Sequence, residues 1–82
     1  MAFHLTLAEC SGSGRLVAEM TQLQGRLSDL LHDLELPPES FQQANCGHER
    51  VLDAVRRGDA GRALAEMRTH LGATESLVAA SL

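Results

Sequence analysis

Apolar residues recur at helical spacing in four stretches of the chain. Over residues 15–35, Leu16, Met20, Leu23, Leu27, Leu30 and Leu34 follow one another in alternating steps of four and three, which marks one narrow face of a long amphipathic helix. Upstream, His4, Leu7 and Ala8 stand at i, i+3 and i+4, so residues 2–10 form a short helix or the end of one. Ser11-Gly12-Ser13-Gly14 breaks the two apart, because two glycines in four positions suit a turn. Pro37-Pro38 ends the long helix, since proline lacks an N–H and turns its predecessor away from helical geometry. A third helix is expected to start near Ser40 or Asn45, with His48, Val51, Leu52 and Val55 on one face. Gly58 is its expected stop and Asp59 the cap of the next helix, a very tight junction. The fourth helix, over about residues 60–80, places Ala63, Leu64, Met67, His70, Leu71 and Leu77 on its apolar side.

Composition agrees with this all-α reading, an antiparallel bundle of about four helices. Only 8 of the 82 residues are β-branched, and leucine, alanine, glutamate, glutamine and arginine dominate. Composition also makes the core thin: of the hydrophobic residues, 11 are alanine, and there is no isoleucine, tryptophan or tyrosine. A domain this small usually needs a staple such as a disulfide, a metal or a partner subunit. Cys10 and Cys46 lie far apart and match no CxxC pattern, so reduced, buried thiols are expected rather than a disulfide.

Charge narrows the functional classes. Seven arginines, no lysine and eleven acids give a net charge of −4, which leaves no basic face for phosphates and argues against direct nucleic-acid binding. Two phenylalanines cannot build a stacking platform for single strands. No apolar run is long enough to span a membrane, and no basic region precedes an apolar stretch as in a signal peptide. A cytoplasmic protein is expected.

The histidines carry the candidate chemistry. His4, His48 and His70 each fall on an apolar face, whereas His32 lies about 140° around its helix from Leu27 and reads as a surface residue. A polar ring facing a core must find a partner, and neutral imidazole is a common metal ligand. Three rings from three helices suit one zinc ion with an open fourth position. The alternative is that each ring bonds a carbonyl in the core. Spacing alone does not decide between them, since no short ligand motif such as HExxH is present. Nor is any acid placed as a general base, or any nucleophile–base pair recognisable, so an enzyme is not expected.

Phe3-His4 through Leu7-Ala8-Glu9-Cys10-Ser11-Gly12, followed by Arg15-Leu16, resembles the "FH…LA…SGN…L" segment of the FCD domain. That domain is the effector-binding part of the FadR subfamily of GntR-type bacterial transcription regulators. Gly47-His48-Glu49-Arg50-Val51-Leu52-Asp53-Ala54-Val55-Arg56-Arg57-Gly58-Asp59 resembles the family's "EH…IL.AI..GD". Ala63, Met67 and His70-Leu71 resemble its "A…M..HL". The resemblance implies a helical bundle around a polar pocket, where an Asp and three His hold a divalent metal, often zinc, that helps bind a small organic acid. By position it assigns the metal ligands His4, His48 and His70 and leaves the effector contacts unknown. It also implies a homodimer or a regulator subunit.

Some positions depart from the family pattern. The Asp ligand would lie four residues before His4, ahead of Met1, Ser13 stands for the usual Asn, and Gly47 for the usual Glu. Residues 1–82 are therefore expected to be a partial FCD-like domain, without the first helices of the family domain or its winged helix-turn-helix reader. The expected function is that of a truncated metal and effector sensor. The alternative is a helical interaction protein that pairs through its leucine seam.

Overall fold

The computed structural model describes residues 2–82 and shows four α-helices, with no strand among the described residues: α1 (Ala2–Cys10), α2 (Gly14–Asp33), α3 (Pro38–Arg56) and α4 (Ala60–Ser81). The chain divides into two compact units, residues 1–35 and 36–82.

In the first unit α1 packs against α2, and the serine–glycine turn joins them by local chemistry. Ser11 and Gly12 donate their backbone N–H groups to the Ala8 and Glu9 carbonyls. Gly12 takes the left-handed conformation at φ 74°, which a side chain would disfavour. Ser13 is the N-cap of α2, its hydroxyl accepting the Leu16 N–H at 3.1 Å.

Among the described residues of this unit Ala8 is the buried apolar one, and α2 has no fully buried residue. Its half-buried edge runs through Val17, Met20, Gln24, Leu27, Leu31 and Leu34. Leu16 and Leu23, expected on the core face, are 40% and 57% exposed. They lie one position off that edge, about 100° around α2 and so turned away from it. The amide nitrogen of Gln24 is buried with no hydrogen-bond partner among the described residues.

The second unit is a helical hairpin. Pro38 opens α3 at its first position, where the missing N–H costs nothing and φ is already helical, and Pro37 before it is extended. The helix thus starts ahead of the expected Ser40 or Asn45: the second proline is a start signal as well as a stop. At the far end, Gly58 adopts φ 69°. The Gly58 N–H bonds to the Val55 carbonyl and the Asp59 N–H to that of Ala54, the double bond pattern of a Schellman motif. The Asp59 side chain then caps α4 by accepting the Arg62 N–H at 2.9 Å.

Asp53 accepts from Arg57, the C-cap residue of its own helix, and, at 2.7 Å, from Arg62 on α4. These guanidinium hydrogen bonds, Arg62 first, hold its carboxyl below the ordinary aspartate range. The junction is as tight as expected, and it sets the two helices antiparallel.

The hairpin core is narrow. Gly47, His48, Val51 and Ala54 are buried on α3, and His70 on α4. The inward stripe of α4 continues through the half-buried Ala63, Met67, Thr74 and Leu77. Leu64 and Leu71, expected on the apolar side, are more than half exposed; a helix with a single neighbour in its unit covers only one such stripe. Val55 is also largely exposed, because Gly58, Ala60 and Ala63 beside it are small and leave an open hollow. Cys10 and Cys46 are free, as expected, but exposed rather than buried.

Candidate metal centre

Two of the three histidines on apolar faces belong to the second unit, and the hairpin brings them together. His48 sits near the middle of α3, one turn before Val51, and His70 on the inward stripe of α4. Their relative exposures are 8% and 7%. The Nε2 atoms stand 3.0 Å apart, with ring centroids 4.5 Å apart and the planes inclined at 68°. This is hydrogen-bonding distance, with one ring donating its Nε2–H and the other accepting. Burial pushes the His70 pKa below the ordinary histidine value, so the ring favours its neutral form, the one that offers a lone pair.

The same geometry fits an ion. Two nitrogens bound to one tetrahedral zinc at about 2.0–2.1 Å lie about 3.3 Å from each other. The observed spacing is a few tenths of an ångström short of that, within the reach of a small ring rotation. A donor set of buried imidazoles suits zinc better than magnesium or calcium, which prefer oxygen.

His4 belongs to the first unit. It is half-buried on α1, edge-on to Phe3 at 5.2 Å, and one turn before the buried Ala8. All three rings engage other groups. His32 points to solvent with its side chain 90% exposed, as its place on the helix predicts.

One feature of the site escaped the sequence reading. Gly47 lies directly against His70: a Cβ built there would stand 2.8 Å from Nδ1 and 3.3 Å from the His70 Cβ and Cγ. The available signal was the run of Gly47, Val51 and Ala54 at i, i+4 and i+7, small residues along the line where two helices approach closely.

A family model for the FCD domain matches residues 1–73. No curated protein and no solved structure matches the chain.

Proposed function

The chain belongs to the FCD domain family, and on that premise we propose that it is part of the effector-binding domain of a GntR-type regulator, holds a divalent metal ion, zinc, on His4, His48 and His70 and presents it to a small organic acid. The observation that carries this reading is the pair of buried His48 and His70 rings with their Nε2 atoms 3.0 Å apart. The family match runs through all three positions, His4, His48 and His70. Bound there, the ion would supply the positive charge that draws a carboxylate. The protein's own part is to orient the imidazoles and, at His48 and His70, to keep them away from water.

On this reading residues 1–82 act in the cytoplasm as part of a metal and effector sensor, and the operator DNA is read elsewhere in the regulator. The net charge of −4 supports a sensing role over DNA contact. An effector acts only through unequal affinity for two states of the regulator.

The test is zinc titration of the purified chain in competition with a chelator, beside the variants His4→Ala, His48→Ala and His70→Ala. Loss of a supporting group around a metal costs about 10–100-fold in affinity, so loss of a ligand should cost at least the upper end of that range. Wild-type affinity in the His48 and His70 variants would remove the assignment.

A second reading rests on a different observation, the unburied leucines of α2. In heptad terms Leu16, Leu23 and Leu30 occupy d positions and Met20, Leu27 and Leu34 occupy a positions. A second copy of the chain fits this seam in one orientation. Antiparallel pairing would set Arg26 against Arg26 of the second copy and Glu19 against its Asp33, all like charges. Parallel pairing sets Glu19 beside Gln24 of the second copy and Arg26 beside its Leu31, with no repulsion. We propose the parallel pair.

A further inference from the structure

Of the glycines in this chain, Gly47 alone has its missing side chain replaced by a close neighbour. At Gly14, Gly25 and Gly72 an added Cβ would meet nothing within 4 Å, and at Gly61 only a carboxylate oxygen at 3.8 Å. At Gly47 the same atom would fall 2.8 Å from His70 Nδ1, a distance real Cβ atoms essentially never show. Two of its three nearest atoms are the His70 Cβ and Cγ. The first is fixed by the α4 backbone and the second is the root of the ring, so a flexible tip cannot swing aside.

Glycine at the middle of a helix weakens that helix relative to alanine, and Gly47 sits at the centre of α3. A buried, mid-helix glycine with a ring seated on it has a packing reason to be there.

We infer that Gly47 is a positioning residue for the His70 ligand nitrogen. The bare backbone of α3 lets the Nδ1 edge of the ring lie flat against it, which turns Nε2 toward Nε2 of His48. With α3 and α4 packed as closely as they are here, a side chain at position 47 forces the ring to rotate or α4 to move outward, and either motion changes the separation of the two nitrogens. The glutamate found here in the family pattern could not occupy this position with His70 where it stands. This inference rests on the metal reading for its purpose but not for its geometry.

Gly47→Ala in the full chain tests it, with Gly72→Ala as a control on the same helix as His70. Zinc affinity is read by chelator competition and ligand geometry by the absorption bands of bound cobalt(II). The expected result is at least tenfold weaker zinc binding and shifted cobalt bands for Gly47→Ala. Its helical circular dichroism should be undiminished, and Gly72→Ala should behave as wild type. A Gly47→Ala variant with wild-type affinity and cobalt bands would overturn the inference.

A readout without metal separates it from the metal reading. In the metal-free protein, the nuclear Overhauser contact between the His48 and His70 rings should weaken in Gly47→Ala; if it does not, the inference fails even where zinc binds. Wild-type protein that ignores zinc, with this contact still sensitive to position 47, would sink the metal reading alone. A Gly47→Ala chain unfolded with and without zinc would make position 47 a packing residue and overturn the positioning role.

Discussion

A buried polar atom without a partner is a standing cost, and Gln24 carries one. Its amide nitrogen lies out of solvent on the half-buried edge of α2, between Met20 and Leu27, with no acceptor among the described residues. An unmade hydrogen bond of this kind costs about 1–3 kcal/mol, whereas an apolar group of similar shape is tolerated or favoured. Gln24→Leu is therefore expected to stabilise the protein by about 1 kcal/mol, read as a higher urea midpoint at unchanged slope. A lower midpoint would mean that the amide has a partner in solution. At His48 and His70 the opposite holds: each ring has a close nitrogen to answer it, and these are the two polar side chains buried in the hairpin. That both rings face inward was legible from their spacing to Val51 and Met67. The 3.0 Å approach of their nitrogens was not, since it depends on how closely α3 and α4 pack, which Gly47 controls.

Among the elements, the junction of α3 and α4 carries the most local determinants. One carboxylate, Asp53, serves arginines on both helices, and Gly58 and Asp59 close the turn between them. The Asp53 pKa is lowered from its ordinary 3.8 by hydrogen bonds to Arg62 and Arg57. Its stabilisation is therefore fully present above that value in the unfolded chain and is lost as pH falls through the lower folded value. Asp53→Asn should lower the melting temperature at pH 6, and the gap from wild type should close as the pH approaches 2. A gap that persists undiminished at pH 2 would assign the effect to packing rather than charge. Gly58 and Asp59 could be read from the sequence because a Schellman turn and an N-cap depend on residues within one turn of each other. The start of α3 was harder. Pro38 forbids the end of one helix and favours the beginning of another, and the same residue serves both. Val55, Leu64 and Leu71 defeated the pattern for a different reason. Periodicity reports which residues could face a neighbour, whereas burial also requires that the neighbour be there and be large enough.

Across the whole molecule, apolar burial is small. Among the described residues the buried apolar ones are Ala8, Val51 and Ala54, and no helix of these residues is long and apolar enough to cross a membrane. A chain with so few buried side chains gains from whatever binds only its folded form, and a ligand at about 100 times its Kd adds about 2.7 kcal/mol by mass action. The proposed pairing of α2 acts in the same way. Sedimentation equilibrium at micromolar concentration should give twice the mass of a single chain, and Leu16→Glu with Leu23→Glu should return it to one chain with its helical signal intact. In a background with both cysteines replaced by alanine, Leu16→Cys should form an interchain disulfide on mild oxidation, because parallel helices set equivalent d positions side by side. A wild-type monomer, or a dimer that Leu16→Cys fails to cross-link, would remove the parallel pair. Family membership was legible at this scale because the motifs lie along most of the chain, and the FCD match spans residues 1–73.

The closure at Asp53, Gly58, Asp59 and Arg62 bears on the order in which the chain folds. All four residues fall within ten positions, so the loop that joins α3 to α4 should close at little entropic cost and early in folding. His48 and His70, 22 residues apart, should then be drawn together as the two helices zip away from that turn. A metal ion would meet a pair of ligands already assembled by the chain itself rather than having to gather them from an unfolded one.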